Sequence, residues 1–109
     1  MNDITLADFP REVLQSQTPV IVDVYTDLCM PCRTLAPVLE QITLDRGSAL
    51  KIVKVNAGSQ GPLATQLGVR SVPTLLLFLN GRVLGQRTGS VSRSDLEKWL
   101  NDKLAETVK

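Results

Sequence analysis

The chain contains two cysteines, Cys29 and Cys32, in the segment TDLCMPCR. Two thiols at this spacing can form half of a metal site, a structural disulfide, or a pair that alternates between dithiol and disulfide. Structural zinc needs four soft or imidazole ligands, and this chain offers two thiols and no histidine. A disulfide that closes so short a loop constrains the unfolded chain little. The spacing therefore favours the redox use.

The residues around the thiols predict different roles for them. Cys29 should lie at the N-cap of a helix that Pro31 begins, where unpaired backbone N–H groups and the helix dipole stabilise a thiolate. Cys32 lies one turn further along, shielded but within reach of the first sulfur. Pro31 suits an early helix position and restricts φ, which keeps the thiols close together. We therefore expect Cys29 to be the nucleophile and Cys32 to be the resolving thiol.

An acidic residue, Asp23, interrupts the apolar run VIVDVY. Burial of an ionised carboxylate is costly, so we expect the pKa of Asp23 to be raised. Because the chain has no imidazole, Asp23 is the candidate base for Cys32, acting through water. Lys54 in KIVKVN is the candidate partner that moderates this pKa. Two alternatives stay open here: a purely structural buried carboxylate, and a surface lysine with a buried stem.

Length and composition predict one globular domain over residues 1–109, with 43% apolar and 21% charged residues. A net charge of +1 without basic runs gives no indication of a nucleic acid partner. The N-terminus lacks a secretory pattern, and the longest apolar run, TLLLFL, is far below the about 20 residues of a membrane helix. We therefore expect a soluble cytoplasmic protein with no membrane partner. A reducing cytoplasm also disfavours a permanent disulfide.

The first half of the chain predicts the strands and helix that position the thiols. The run PVIVDVYT at 19–26 is typical of a parallel strand buried on both faces. Apolar residues at helical spacing predict an amphipathic helix over 31–46, with Gly47 as its stop. ALKIVKVN at 49–56 predicts a second parallel strand. The cysteines then lie at the carboxyl end of a central strand, where α/β sheets usually carry their chemistry.

The second half predicts a short helix with Ser59 as cap, Pro62 in its first turn and Gly68 as terminator. Asn80-Gly81 joins two apolar runs and predicts a hairpin with a type I′ turn. Two capping boxes are possible for the last helix, Ser92 with Asp95 or Ser94 with Glu97. A weaker helix over 6–15 and a short strand at 3–5 precede these elements. The pattern predicts a mixed sheet with helices on both faces.

The residues VDVYTDLCMPCR, APVL, KVN, GVRSVPTLLLFLNG and TG, in this order and spacing, closely resemble the thioredoxin family over nearly the whole chain. The resemblance implies an α/β thioredoxin fold, in which four helices flank a five-stranded mixed sheet. It also implies the activity of a general protein-disulfide reductase, a dithiol–disulfide oxidoreductase that carries electrons.

The resemblance also implies roles for single residues. Cys29 and Cys32 would form the redox-active disulfide as nucleophile and resolving cysteine. Asp23 corresponds to the buried acid of the family and Lys54 to its lysine partner. Pro73 corresponds to a cis-proline beside the disulfide, although the sequence alone predicts only a proline that opens a strand.

In the family, an extended segment of the client pairs with backbone next to the cis-proline, here that of Val72. The resemblance implies a shallow apolar surface around Cys29, which we call the collar, formed by Leu28, Met30, Pro31, Val72, Pro73, Gly89 and Ser90. Two departures fall on it, since Leu28 replaces the usual tryptophan and Met30 the usual glycine. These two replacements are expected to affect the choice of partner proteins and the reduction potential. With Pro31 retained, the resemblance implies a potential near the thioredoxin value of about −270 mV.

The resemblance implies no bound cofactor and no metal. Reducing equivalents would come from NADPH through a flavin-dependent thioredoxin reductase, or from a ferredoxin-linked one. Clients would be proteins such as peroxiredoxin, methionine sulfoxide reductase or ribonucleotide reductase, and the chain would act as a monomer. The alternatives are a non-catalytic thioredoxin-fold binding module in a larger assembly, and an oxidase or isomerase of an oxidising compartment. Binding alone would not need two cysteines with Asp23.

Overall fold

A computed structural model describes residues 1–106 of the chain. Within these residues five strands form one sheet in the order β1-β3-β2-β4-β5. β1, β3 and β2 run parallel, and β4 is antiparallel to both β2 and β5. The strands are β1 (Asn2–Asp3), β2 (Val20–Tyr25), β3 (Lys51–Asn56), β4 (Thr74–Leu79) and β5 (Arg82–Thr88).

Four helices of five residues or more flank the sheet in the described part of the chain, besides a single 3₁₀ turn at Gly47–Ala49. Three are α-helices, α1 (Met30–Arg46), α2 (Gly61–Gln66) and α3 (Arg93–Ala105). The fourth is a π-helical segment, Pro10–Leu14, which the Gln15 N–H closes by donating to the Pro10 carbonyl at 2.9 Å. The predicted five-stranded mixed sheet with four helices is therefore confirmed. The domain limit predicted at residue 109 lies outside the described residues.

Strand β2 is buried on both faces, which explains its continuous apolar run. Val20, Val22 and Val24 point into the core layer that contains the π-helical segment and α2. Ile21 points into the opposite layer, against α1 and α3. Because side chains alternate along a strand, Asp23 belongs to the α1 face. The pattern of β2 thus places its one carboxyl beneath the helix that carries both cysteines.

The turns of the second half agree with the sequence signals. Asn80 and Gly81 both have positive φ, 52° and 79°, as a type I′ turn requires. Ser92 caps α3, and its hydroxyl accepts the Asp95 N–H at 3.1 Å. Of the two predicted cap positions, Ser92 rather than Ser94 thus marks the start of this helix.

The predicted cap of the short helix is wrong. The N-cap of α2 is Gln60, and the Ser59 hydroxyl instead donates to the Asn56 carbonyl at 3.5 Å. A turn after β3, closed by Gln60 N–H to the same Asn56 carbonyl at 2.7 Å, delays the helix by one residue. Pro62 does lie in its first turn, and Gly68 follows it with φ +73°.

The N-terminal elements are also shorter than the sequence suggests. Strand β1 covers two residues rather than 3–5, although the Ile4 N–H still donates to the Lys54 carbonyl at 2.9 Å. Asp8 accepts the Thr5 N–H at 3.1 Å and forms a local turn. This turn competes with helix formation, so the helical segment begins at Pro10 rather than at residue 6. No helix within residues 1–106 is long and apolar enough to cross a membrane.

Candidate active site

A disulfide joins Cys29 and Cys32, whose Cα atoms lie 5.2 Å apart. Cys29 is the N-cap of α1, as predicted, and its sulfur accepts the Cys32 N–H at 3.2 Å. Cys29 is half-buried, whereas Cys32 is only 7% exposed and lies in the first turn. The two sulfurs therefore face different surroundings: one is open to solvent at a helix N-terminus, and the other points toward the interior.

Two hydrogen bonds bring predicted collar residues together from three distant segments. The Ser90 hydroxyl donates to the Pro31 carbonyl at 3.3 Å, and the Gly89 N–H donates to the Pro73 carbonyl at 2.8 Å. Gly89 has φ +93°, a backbone conformation that residues other than glycine rarely adopt. The Val72–Pro73 peptide bond is cis. Pro31, Pro73 and the adjacent residues Gly89 and Ser90 are thus linked from three segments of the chain, and Pro31 lies between the two cysteines.

The remaining collar residues differ in exposure. Leu28 is 89% exposed and Met30 is 64% exposed, and both adjoin Cys29 in the chain. Val72 is half-buried, and its side chain packs against the core layer beneath α2. Leu28 and Met30 therefore supply the apolar side-chain surface next to Cys29, whereas the Val72 side chain packs toward the core.

Behind the disulfide lies a cleft of about 190 Å³, which we call the acid cavity. Its lining consists of Asp23, Tyr25, Thr26, Asp27, Cys32, Arg33, Ala36 and Lys54. The structure thus brings together three of the residues predicted from the sequence, namely the resolving cysteine, the buried acid and its lysine. Such a volume can hold water molecules, which can carry protons between groups that are not in direct contact.

Asp23 is 3% exposed, and no hydrogen-bond partner contacts its Oδ1 among the described residues. Burial raises the pKa of Asp23 from 3.8 to about 6. The positive charge of Lys54 opposes this effect, and the negative charge of Asp3 adds to it. The predicted direction of the pKa is therefore found, and Lys54 moderates the pKa as expected.

Two further side chains, those of Tyr25 and Asp3, lie in the surroundings of Asp23, although the sequence did not assign them to it. The Lys54 Nζ lies 4.3 Å from the centroid of the Tyr25 ring, and the Tyr25 hydroxyl donates to Asp3 Oδ1 at 2.5 Å. Burial, followed by this hydrogen bond, raises the pKa of Tyr25 to about 12, so the hydroxyl remains a donor. The available signal was the period of two, which puts Tyr25 on the same strand face as Asp23.

Within residues 1–106, no group of three His, Cys, Asp or Glu side chains is placed to hold a metal ion. The arrangement instead offers a dithiol–disulfide pair with one accessible sulfur and one sulfur beside a buried carboxyl. This geometry suits thiol–disulfide exchange, in which a thiolate attacks a disulfide sulfur and a mixed disulfide is then resolved.

Comparison with known proteins identifies the family. The family model described as Thioredoxin matches residues 1–102. The chain belongs to the thioredoxin family. It is 35% identical to a thioredoxin of Rickettsia bellii over 94% of this chain and 98% of that protein. It is 39% identical to thioredoxin 1 of Synechococcus elongatus and 37% identical to a thioredoxin of Porphyra purpurea, each over 93% of this chain and 94% of the relative.

Family membership and the bonded cysteine pair establish the activity as that of a dithiol–disulfide oxidoreductase, a protein-disulfide reductase. Proteins of the thioredoxin family bind no cofactor themselves, and the family implies disulfide-containing substrates and a reductase. These findings do not favour a non-catalytic binding module.

Proposed function

We propose that Cys29 attacks client disulfides, that Cys32 resolves the resulting mixed disulfide, and that Asp23 accepts the proton of Cys32. The observation that carries this assignment is the asymmetry of the pair. Cys29 lies half-buried at the N-cap of α1, whereas Cys32 is 7% exposed and lines the acid cavity with Asp23.

In the first step the Cys29 thiolate attacks one sulfur of the client disulfide. A bond forms between Cys29 Sγ and that sulfur, the client S–S bond breaks, and the other client sulfur leaves as a thiolate that takes up a proton. The Cys32 N–H, which contacts Cys29 Sγ at 3.2 Å in the disulfide form, and the positive end of the α1 dipole stabilise the attacking thiolate.

In the second step Cys32 loses its proton and attacks Cys29 Sγ. The intramolecular disulfide forms, the mixed disulfide breaks, and the second client thiol is released. In sum, the protein dithiol is oxidised by two electrons while the client disulfide is reduced to two thiols. Asp23 takes the Cys32 proton through water in the acid cavity, because a carboxyl with a pKa of about 6 is a competent base near neutral pH.

Lys54 supports this role by keeping the pKa of Asp23 from rising further, since its positive charge favours the carboxylate. The client would lie across the collar. Its extended backbone would pair with that of Val72, next to the cis-Pro73, and its apolar side chains would contact Leu28 and Met30. The links through Gly89 and Ser90 would hold this surface in place.

For recharging, we assign the chain to a flavin-dependent thioredoxin reductase that draws on NADPH, with peroxiredoxin, methionine sulfoxide reductase and ribonucleotide reductase as client classes. We place the chain in the cytoplasm, because a reducing compartment keeps such a pair in its active dithiol form. We also propose that it acts as a monomer. Turnover with a purified reductase and NADPH tests this assignment.

The nucleophile assignment is tested by insulin reduction under dithiothreitol. The native chain should accelerate the reaction, and Cys29→Ser should reduce it to the rate without protein, since a hydroxyl does not replace a thiolate in this exchange. Leu44→Ala is the matched control, because Leu44 is a 78% exposed residue of α1 outside the site. Acceleration that persists in Cys29→Ser would refute the assignment.

A further inference from the structure

Three charged residues form a row across the parallel half of the sheet. Lys54 of β3 is the register partner of Asp3 in β1 and also of Asp23 in β2. Aligned residues on neighbouring strands project to the same face and lie about 5 Å apart. One cation is therefore placed between two carboxylates, one at the edge of the sheet and one in its buried centre.

The lysine side chain is located by an aromatic ring. Its Nζ lies 4.3 Å from the centroid of Tyr25, and the Tyr25 hydroxyl donates to Asp3 Oδ1 at 2.5 Å. The ion pairs within residues 1–106 do not join Lys54 to Asp3 or to Asp23. Among the described residues, the Lys54 ammonium thus lies over the Tyr25 ring and forms no ion pair with the buried Asp23.

We propose that Asp3 is a positioning residue for Asp23: together with the Tyr25 ring, it draws the Lys54 charge toward the sheet edge and so leaves the buried acid able to hold a proton. The catalytic consequence rests on the proposed function, in which Asp23 is the base for Cys32. The N-terminal strand would therefore take part in the proton chemistry although it lies two strands away from the acid.

The charges that face Asp23 agree with this direction. Strand β4 presents the apolar Leu75 as its register partner, and the next residue in that row is Arg87 of β5, two strands away from Asp23. The titratable or charged groups on the other sides are Lys54, Asp3, Tyr25, Asp27, Arg33 and Cys32. Of these, Lys54 lowers the pKa of Asp23 and Asp3 raises it.

The test is an NMR titration of the Asp23 carboxyl carbon in the disulfide form, where the cysteines do not titrate. Asp3→Asn retains an oxygen for the Tyr25 hydroxyl but removes the charge. We expect the Asp23 midpoint to fall by about 0.5 to 1 pH unit, because the Lys54 ammonium, no longer drawn toward the sheet edge, moves closer to the buried carboxylate. Asp8→Asn makes the same charge change outside the row and should leave the midpoint in place. An unchanged midpoint in Asp3→Asn overturns the proposal.

Two further variants separate positioning from other effects. If Asp3 acts through Lys54, its replacement in a Lys54→Met background should shift the Asp23 midpoint less than half as far. An undiminished shift there would mean a direct effect of charge and would overturn the proposal. Asp3→Glu should restore the native midpoint. Failure of this rescue, with β1 intact by amide chemical shifts, would also overturn it.

The catalytic readout is the pH dependence of mixed-disulfide resolution. Its acidic limb should move to lower pH in Asp3→Asn by the same amount as the NMR midpoint. If the NMR midpoint of Asp23 moves in Asp3→Asn but the acidic limb of the resolution rate does not, the positioning role of Asp3 is supported and Asp23 is refuted as the base. A midpoint that stays, with normal turnover through Cys29, would refute the role of Asp3 alone.

Discussion

The two sides of the disulfide differ in almost every physical property. In front, Leu28 and Met30 are 89% and 64% exposed and carry no charge. Behind, Asp23 is 3% exposed and shares a small cavity with Lys54. Exposed side chains contribute little to folding, so the front can vary with the partners, whereas the buried carboxyl lowers stability when it is ionised. In the proposed function the molecule thus separates client recognition from proton transfer, and each side should be alterable without the other.

The largest effect should come from removing the resolving thiol of Cys32 while the nucleophile, Cys29, stays in place. In Cys32→Ser, the Cys29 thiolate can still attack, but nothing in the chain resolves the mixed disulfide, so turnover should cease and client complexes should accumulate. Mass spectrometry after non-reducing electrophoresis identifies them. The matched control is Cys29→Ser, which should capture nothing. Equal capture by both variants would contradict the proposed division of roles.

The next largest effect concerns Asp23 and stability. The folded pKa of about 6 lies above the unfolded value of 3.8, so the folded state binds more protons between about pH 4 and pH 6. Stability from this group is therefore present at low pH and lost as the pH rises through this window. Asp23→Asn removes the loss and should raise the free energy of unfolding at pH 8 by up to about 3 kcal/mol.

Urea unfolding of the disulfide form at pH 4 and pH 8 measures this difference. The gain should nearly vanish at pH 4, where the native carboxyl is protonated. Asp102→Asn, at an exposed position of α3, is the control and should show little gain at either pH. A gain for Asp23→Asn of the same size at both pH values would mean that ionisation is not its cause.

Resolution of the mixed disulfide should slow by up to about 100-fold in Asp23→Asn.

A smaller effect is expected at the front. Met30→Ala and Leu28→Ala should each raise KM for a protein client about fivefold to tenfold, because burial of one apolar side chain contributes about 1 to 2 kcal/mol. Because neither residue takes part in the exchange, kcat should hold, and unfolding free energies should stay within about 0.5 kcal/mol. Leu44→Ala is the control, equally exposed but distant from the cysteines in the chain. A loss in kcat with unchanged KM would contradict the separation of the two sides.

The smallest effect should be spectroscopic. Trp99, the one tryptophan of the chain, lies on α3 and packs beside Gly85 of β5, so reduction of the disulfide should change its fluorescence only weakly. Leu28→Trp sharpens the comparison, because it places a second indole next to the sulfurs, which should be quenched in the disulfide form. A several-fold rise on reduction of the native chain would contradict the placement of α3.

Much of the fold was predictable because its signals are local. The buried run of β2, the Asn80-Gly81 turn and the Ser92 cap each act over a few residues, and the structure contains all three. The cap predicted at Ser59 failed because a backbone turn from Asn56 competes for the same residues. Local chemistry allowed both outcomes there, and the path of the chain out of β3 decided between them.

The chemistry of the pair could be predicted from the chain alone: two thiols at one helix N-terminus, a proline that begins the helix, and a carboxyl in an apolar strand. These follow from neighbours along the chain. Packing across the sheet added Asp3 to the predicted pair of Asp23 and Lys54 by placing all three in one row, and it set Lys54 over the Tyr25 ring. Strand register and burial set the distance between charges and the medium between them, and those two quantities govern the pKa of the acid.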